Sequence, residues 1–338
     1  MVGRCSPAGS CVAVSRRWNI AVLMLVSVLV NESGAATEPS QWNARFAYLT
    51  ACVDDPEAAS QFLRTTLGWH VIEPTLEPGG SPESTDPIRV EDGRGFQLHL
   101  RRAMRGGSGC KGSPYLSLAF SGEFAAPGHR VEFPVSVSGG TQVVLESNAG
   151  SARVASEGPA ARSARVDRIA IFVADLELAS TFYTNVLGLT RSTAEVQLDG
   201  AANARSGGLR VAFIDAGAVW LALVQPVGSG PLMDLLRRHG DGYIAELIVE
   251  VDDLASVYDS MQARGIGLVD TAGTPVDPTE KAHVLVPYGD RIAYFPTDVA
   301  QGLVIELAQR GPAETSLLER RDRAPRSARG PRTGARGH

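Results

Sequence analysis

Two segments of the chain repeat one pattern of apolar and polar positions. Residues 53–68 and 173–188 align without gaps, and 8 of their 16 positions are identical. In each segment apolar residues recur at helical spacing behind an aspartate, Asp55 or Asp175, which stands where a helix N-cap belongs. Each segment follows a strand-like apolar run and ends in Leu-Gly before another strand. The pattern therefore predicts a unit of strand, helix and strands that is repeated along the chain.

A weaker third copy of the unit lies at residues 248–268, where a strand-like run, an Asp-Asp-Leu cap and a helical pattern follow one another. Residues 165–310 therefore read as two βαβββ modules, with a helical insert at 231–240. Residues 45–147 contain one such module and a second that lacks a recognisable helix. The chain is predicted to have an α+β fold of tandem βαβββ modules in two domains.

The first 36 residues have the pattern of a signal peptide. Arg16 and Arg17 precede an apolar run, Ile20 to Val30, which is followed by small residues. A membrane-spanning helix needs about 20 apolar residues, so the run is too short for a stable anchor. We expect cleavage near Ala35 or Ala36 and export to the periplasm or the medium. A membrane tether, or a cytoplasmic protein with an over-long start, is the alternative.

Charge is unevenly distributed along the chain. The formal net charge is −5, but residues 313–338 form an Arg-, Pro- and Gly-rich tail that is expected to be disordered. The segment between the predicted signal peptide and this tail is strongly acidic. An acidic body argues against nucleic acid as a partner. A small molecule is the expected partner, and the protein is expected to be a monomer or a homodimer.

Two cysteines, Cys52 and Cys110, remain after the predicted signal peptide is removed. They could form one disulfide in an oxidising compartment. Alternatively, Cys52 is a small buried residue in its apolar strand-like run.

The second half resembles the vicinal oxygen chelate superfamily of glyoxalases, bleomycin-resistance proteins and extradiol dioxygenases. The resemblance rests on the phrase VDRIAIFVADLELASTFYTNVLGL and on the closing GLVIELAQ. The segments LALVQPVGSGPLMDLLRRHGDGYIAELIVEVDDL and RIAYFPTDVAQGLVIEL look most like the methylmalonyl-CoA epimerase and glyoxalase-like branch. The resemblance implies cupped mixed β-sheets with a ligand site on the concave side.

The resemblance also implies a divalent metal held by four side chains on four strands, a Lewis acid for a bound carbonyl. Carried over position by position, the four ligand positions fall on Arg168, Ala222, Glu246 and Glu306. Arginine stays protonated and cannot bind a metal. Two carboxylates, Glu246 and Glu306, are therefore the remaining metal candidates in an incomplete ligand set. Another catalytic carboxylate of the epimerase branch would fall near Ser206.

Two interpretations of Arg168, Glu246 and Glu306 stay open. In the first, an Arg–Glu salt bridge fills the former metal site. In the second, the three residues are catalytic: Arg168 grips a carboxylate or enolate oxygen, and a glutamate with a raised pKa moves a proton. Trp220 and Phe213 are predicted to line the same site and to contact the substrate.

Weaker candidates lie in the first half. Gln97 and His99 share one face of a predicted strand and are candidates for substrate binding, while Tyr48 takes the position that corresponds to Arg168. Nucleophile-elbow, Cys-x-x-Cys and Gly-rich phosphate-loop motifs are missing from the sequence. His239 marks a helix end, where a cation is favoured.

Three functions follow from the resemblance. The first is a lyase or isomerase that abstracts a proton beside the carbonyl of a small oxygenated compound. The second is an exported, non-catalytic protein that holds a hydrophobic small molecule in the cupped sheet. The third, a ring-cleaving dioxygenase, would need iron ligands that the carried-over positions do not supply.

Overall fold

The computed structural model describes residues 42, 44–72, 87–103, 114–122, 129–147, 164–198, 207–270, 273–276, 283–285 and 290–310. The predicted signal peptide, the predicted basic tail, Cys110 and Ser206 lie outside these residues. Within the described residues, no helix is long and apolar enough to cross a membrane.

The first half forms a seven-stranded mixed sheet. The elements are β1 (Arg45–Val53), α1 (Pro56–Phe62), β2 (His70–Ile72), β3 (Ile88–Glu91), β4 (Gln97–Arg102), β5 (Tyr115–Gly122), β6 (Arg130–Phe133) and β7 (Val143–Ser147). The strand order is β2-β3-β4-β1-β5-β7-β6, and the central strand β1 pairs in parallel with β4 and antiparallel with β5.

The second half forms an eight-stranded mixed sheet. The elements are β8 (Arg165–Phe172), α2 (Leu176–Thr181), β9 (Thr190–Leu198), β10 (Gly208–Asp215), β11 (Trp220–Val227), α3 (Pro231–His239), β12 (Tyr243–Glu250), α4 (Leu254–Gln262), β13 (His283–Leu285), β14 (Asp290–Tyr294) and β15 (Ile305–Gln309). The strand order is β13-β14-β15-β12-β8-β11-β10-β9. The central strand β8 pairs in parallel with β11 and antiparallel with β12, as β1 does with β4 and β5.

The repeated segments form equivalent helices, as predicted. Asp55 caps α1 by accepting from the Ala58 amide, and Asp175 caps α2 by accepting from two amides of its first turn. Each helix passes into a short π-helical turn. Gly68 and Gly188 then turn the chain toward the next strand with φ of 73° each, a conformation that glycine adopts without strain. The tandem βαβββ fold is therefore confirmed.

The second module of the first half is shorter than its counterpart. In the second half, α4 and β13 lie between β12 and β14. In the first half, only seven residues separate β5 from β6, and none of those described is helical. The first sheet accordingly has one strand fewer than the second.

The two halves share one hydrophobic core. It contains Leu49 and Leu98 of the first sheet, Ile169 and Leu247 of the second, and the buried faces of α1 and α2. Aromatic rings join the halves, for example Phe62 and Phe295 with centroids 5.1 Å apart. Each sheet therefore turns one face toward the shared core. We call the opposite face of each sheet its outer face.

Cys52 is buried in β1 and forms a disulfide bond. Its partner cysteine lies outside the described residues. The disulfide is one of the two alternatives that the sequence left open, and its pairing with Cys110 stays a prediction.

Candidate functional site

Strand register brings the predicted catalytic residues onto the outer face of the second sheet. Arg168 of β8 pairs with Trp220 of β11 on one side and Ile248 of β12 on the other. Ile248 pairs with Glu306 of β15, which in turn pairs with Tyr294 of β14. Directly paired residues project to the same face of a sheet. These five residues therefore form one continuous row across five strands.

A second row runs parallel to the first. Glu246 pairs with Ala170, Ala170 with Ala222, and Ala222 with Phe213. Arg168, Glu246 and Glu306 consequently share one face on three adjacent strands, as expected from the sequence. Phe213 and Trp220, which are 2% and 5% exposed, line the same face.

An irregularity in β8 gives Arg168 an ionic partner from its own strand. Pairing with β12 passes from Arg168–Ile248 to Val166–Val249, so Asp167 is an extra residue in β8. Such a bulge re-aims neighbouring side chains. The Nε atom of Arg168 lies 2.9 Å from Oδ2 of Asp167, which is fully buried.

The same aspartate belongs to a partly buried ion-pair network. Nη2 of Arg310 lies 2.5 Å from Oδ2 of Asp167, and Nε of Arg310 lies 3.0 Å from Oε1 of Glu250. Arg165 pairs with the other oxygen of Glu250 at 2.6 Å. The network thus ties three arginines to two carboxylates beside the candidate site, and Arg168 is at its inner end.

Glu246, Glu306 and Tyr294 form the titratable centre of the site. The Tyr294 hydroxyl donates to Oε2 of Glu306 at 2.6 Å, and Glu306 is 3% exposed. Burial, followed by the charge of Glu306, raises the pKa of Glu246 to about 8, against the opposing effects of Tyr294 and Arg168. Burial and the two carboxylates raise the pKa of Tyr294 well above its usual value. Glu246 can therefore gain and lose a proton near neutral pH.

Glu246 and Tyr294 open onto a cavity of about 500 Å³. Phe172 and Tyr243 line its apolar side, and the helical insert α3 contributes Leu232 and Leu235. Pro231 stands at the first position of α3, and Gly240, with φ of 95°, ends it. His239 is the last residue of α3, as predicted, and stacks on Tyr243 with centroids 4.2 Å apart. The insert thus places an apolar wall beside the carboxylates.

The four carried-over ligand positions do not fit a divalent metal. Arg168 brings a permanent positive charge to the first position, and Ala222 brings no donor atom to the second. Among the described residues there is no group of three or more His, Cys, Asp or Glu side chains arranged to hold a metal ion. The groups considered for chemistry at this site are therefore its side chains.

Trp220 has a donor without a partner. Its Nε1 atom is buried and makes no hydrogen bond to any described residue. A buried donor of this kind costs free energy unless it is satisfied. Because Trp220 pairs with Arg168, the two side chains project next to each other from the outer face.

The structure does not bring Gln97 and His99 to this site. They lie on β4, on the outer face of the first sheet, where Gln97 donates to Glu91 at 3.1 Å and His99 stacks on Tyr48 with centroids 3.8 Å apart. The Tyr48 hydroxyl donates to Glu146 at 2.8 Å. Burial, aided by Arg89 and Arg101, lowers the pKa of His99 to about 4, so its ring is neutral.

Several site residues were missed by sequence reasoning. Tyr294 lies in the strand-like run RIAYFP, and its pairing with Glu306 follows only from the register of β14 and β15. Asp167 was hidden because the bulge that exposes it to Arg168 leaves no mark in an apolar strand pattern. Arg310 follows the Ile-Glu-Leu phrase by a few residues and could have been found by extending the strand alternation from Glu306.

Comparison with known proteins identifies the class of fold. Residues 165–293 match the sequence model of the Glyoxalase/Bleomycin resistance protein/Dioxygenase superfamily. A triple mutant of 4-hydroxymandelate synthase from Streptomyces coelicolor has the same overall fold, with a TM-score of 0.54 at 17% identity over 85% of this chain and 99% of that one. Residues 165–293, which lie in the second half, are therefore similar to this superfamily.

The similar curated proteins include methylmalonyl-CoA epimerases. The mitochondrial enzyme of Mus musculus is 30% identical over 109 residues, which are 32% of this chain and 57% of that enzyme. The mitochondrial enzyme of Bos taurus is 26% identical over 181 residues, which are 53% of this chain and 90% of that enzyme. The match to the mouse enzyme thus spans little more than half of its length.

Proposed function

We propose that the second half catalyses proton transfer at the carbon beside the carbonyl of a small molecule, as an isomerase or lyase. The proposal rests on the Glu246–Tyr294–Glu306 cluster, of which Glu246 and Tyr294 line a largely apolar cavity. When two carboxyl groups share one buried site, their pKa values move apart, and such pairs serve as acid and base in enzymes. The epimerases among the similar proteins support the same class of reaction.

Each residue then has a defined part. Glu246 in its carboxylate form removes the proton from carbon, and the electron pair of the C–H bond moves onto the carbonyl oxygen to give an enolate. Arg168 and Trp220 donate hydrogen bonds to that oxygen, where negative charge develops. Tyr294, held by Glu306, keeps its proton at neutral pH and gives it to the enolate. The proton that Glu246 took from carbon then passes to the Tyr294 phenolate, so that both residues regain their starting states. Protonation on the other face of the same carbon gives an epimer.

Loss of a leaving group from the enolate gives a lyase reaction instead. The site residues are the same in both cases, because the reactions share the first proton transfer. The substrate therefore decides between isomerase and lyase, and its class is a small oxygenated carbonyl compound.

A binding protein is the second candidate. The apolar wall of Phe172, Leu232 and Leu235 favours a hydrophobic ligand, and cavities of about this size hold small molecules. This function would use the cavity and leave the carboxylates without a chemical role.

Hydrogen–deuterium exchange into a panel of small carbonyl compounds distinguishes the two. Proton abstraction exchanges the hydrogen on carbon for solvent deuterium, whether or not a net reaction follows, and NMR detects it. We expect exchange with the wild type, its loss in Glu246→Gln and its retention in Asp298→Asn, which alters an exposed carboxylate at the cavity rim. A compound that binds but never exchanges its hydrogen would contradict the catalytic function and support the binding function.

We also propose that the protein is exported. The disulfide of Cys52 supports this, because structural disulfides persist mainly in oxidising compartments. N-terminal sequencing of the protein from its native host should find a chain that begins near residue 36 or 37. A chain that begins at Met1 would contradict export.

A further inference from the structure

A buried carboxylate of the first half reaches a backbone amide of the second. Asp92 follows β3 and is 1% exposed. Its Oδ1 atom accepts from the amides of Arg94 and Phe96, at 2.8 and 2.9 Å, and so closes the β3–β4 turn. Its Oδ2 atom accepts from the Val166 amide of β8 at 2.9 Å. One side chain thus joins a turn of the first half to the central strand of the second.

The equivalent contact in the opposite direction uses backbone alone. Phe46 of β1 corresponds to Val166 in the aligned repeat, and its amide donates to the carbonyl of Ala216, in the β10–β11 turn, at 2.9 Å. That turn closes between Ala216 and Val219, whereas the β3–β4 turn closes between Asp92 and Phe96 and is one residue longer. The Asp92 carboxylate therefore accepts from Val166 the hydrogen bond that the Ala216 carbonyl accepts from Phe46 in the opposite direction.

The contact lies beside the bulge that supplies Asp167 and Arg168. Val166 is the last regularly paired residue before the extra residue Asp167. A second side chain of the first half holds the same strand start, since Nε1 of Trp69 donates to the carbonyl of Ala164 at 2.9 Å. Two hydrogen bonds from the first half therefore restrain the backbone on which the bulge is built.

We propose that Asp92 is a positioning residue for the site of the second half. By holding the Val166 amide, it fixes the bulge and thereby the Asp167–Arg168 pair that faces Glu246. Its effect on catalysis rests on the proposed function, whereas its effect on Arg168 does not. The first half carries Ser117 and Val144 at the positions equivalent to Glu246 and Glu306, and on this proposal it contributes to the site by positioning Arg168.

The side-chain Nε–Hε signal of Arg168 tests the positioning directly. The signal can be assigned in ¹⁵N-labelled protein by its disappearance in Arg168→Lys. We expect Asp92→Asn to shift this signal and to speed its exchange with water, because the amide side chain cannot accept from all three backbone donors. Asp55→Ala is the control, since it removes the α1 cap in the same half, where Asp55 accepts from the Ala58 amide of its own helix. An unchanged Arg168 signal in a folded Asp92→Asn protein, or an equal change in Asp55→Ala, would overturn the proposal.

Exchange of the substrate hydrogen for solvent deuterium tests whether Asp92 also affects catalysis. A displacement of about 1 Å can slow an enzymatic reaction about 100-fold, so we expect exchange to slow by about 10- to 100-fold in Asp92→Asn and to be unchanged in Asp55→Ala. A wild type that exchanges no substrate would refute the proposed function, while the Arg168 signal would still decide the role of Asp92. An altered Arg168 signal with full exchange activity would refute the catalytic part of the positioning.

Discussion

The two outer faces carry different chemistry on one backbone plan. Strand register makes Tyr48 equivalent to Arg168, Ser117 to Glu246, Val144 to Glu306, and His99 to Ala222. The outer face of the first half is more polar and partly exposed, and it carries ion pairs such as Arg130–Glu146 at 3.1 Å. The outer face of the second half is mostly apolar, and it encloses two carboxylates of which Glu306 is almost fully buried.

The inner faces of the two sheets differ far less than the outer faces. Both contribute aliphatic and aromatic residues to the shared core, and both carry the same capped helix. Packing on the shared core therefore explains the common fold of the two halves. The outer faces explain why the candidate site lies in the second half. A fold alone does not define a function. Variants at equivalent positions of the two outer faces can therefore show which face carries the activity.

The largest expected difference concerns proton transfer. Glu246→Gln should slow solvent-deuterium exchange by about 10²–10⁴-fold, the usual contribution of general acid–base catalysis. Ser117→Ala, at the equivalent position of the first half, should leave exchange unchanged. Exchange rates of both variants, measured by NMR, check the contrast. If Ser117→Ala slows exchange as strongly as Glu246→Gln does, the site is not confined to the second half.

The next largest effect is expected in the free energy of unfolding when Arg168 is replaced. Breaking a buried ion pair costs ~3–5 kcal/mol when one partner is removed. Arg168→Met should approach this cost, although Arg310 still neutralises Asp167. Adding Asp167→Asn should recover part of the loss, because the buried negative charge is then removed and Arg310 keeps Glu250. Urea unfolding of the single and double variants measures both steps.

The recovered double variant also separates the two interpretations of Arg168. If it regains stability and still lacks exchange activity, Arg168 acts on the substrate. If it regains both, the arginine has only a structural role and the proposed oxyanion contact is wrong.

Much of the fold was predictable, because its signals are local. The caps at Asp55 and Asp175, the helical insert and the short second module each follow from neighbouring residues in the sequence. Arg168, Glu246 and Glu306 could be placed on one face because each sits at a fixed distance from a recognisable cap or phrase. Tyr294 and Asp167 could not be foreseen, since their roles depend on strand register and on a bulge. Asp92 depends on the docking of two halves, which local patterns do not encode.

The two outer faces should respond oppositely to pH. The pKa of Glu246 is raised from 4.5 to about 8 in the folded protein. Between these values the folded state keeps a proton that the unfolded chain has lost, so stability falls as pH rises, by at most ~1.4 kcal/mol per pH unit. The contribution is complete below pH 4.5 and is lost above about 8.

His99 shows the opposite dependence. Its pKa is lowered from 6.5 to about 4, so its contribution to stability is present above pH 6.5 and is lost as the pH falls toward 4. Urea unfolding between pH 4 and 9 should therefore show a shallower alkaline decline in Glu246→Gln and a shallower acid decline in His99→Gln. Identical pH profiles for wild type and both variants would contradict the two shifted pKa values.

The smallest effect is expected at Tyr48, the first-half counterpart of Arg168. Tyr48→Phe removes the 2.8 Å hydrogen bond to Glu146, which keeps its ion pair with Arg130. The loss of one partly buried hydrogen bond should cost ~0.5–1.5 kcal/mol in the free energy of unfolding. The ring remains stacked on His99, so the packing of this face should be kept. Exchange activity should equal that of the wild type, because neither Tyr48 nor Glu146 lies on the face that carries Glu246. A substantial loss of activity in a stable Tyr48→Phe protein would show that both outer faces take part in function, and the division between the two halves would have to be abandoned.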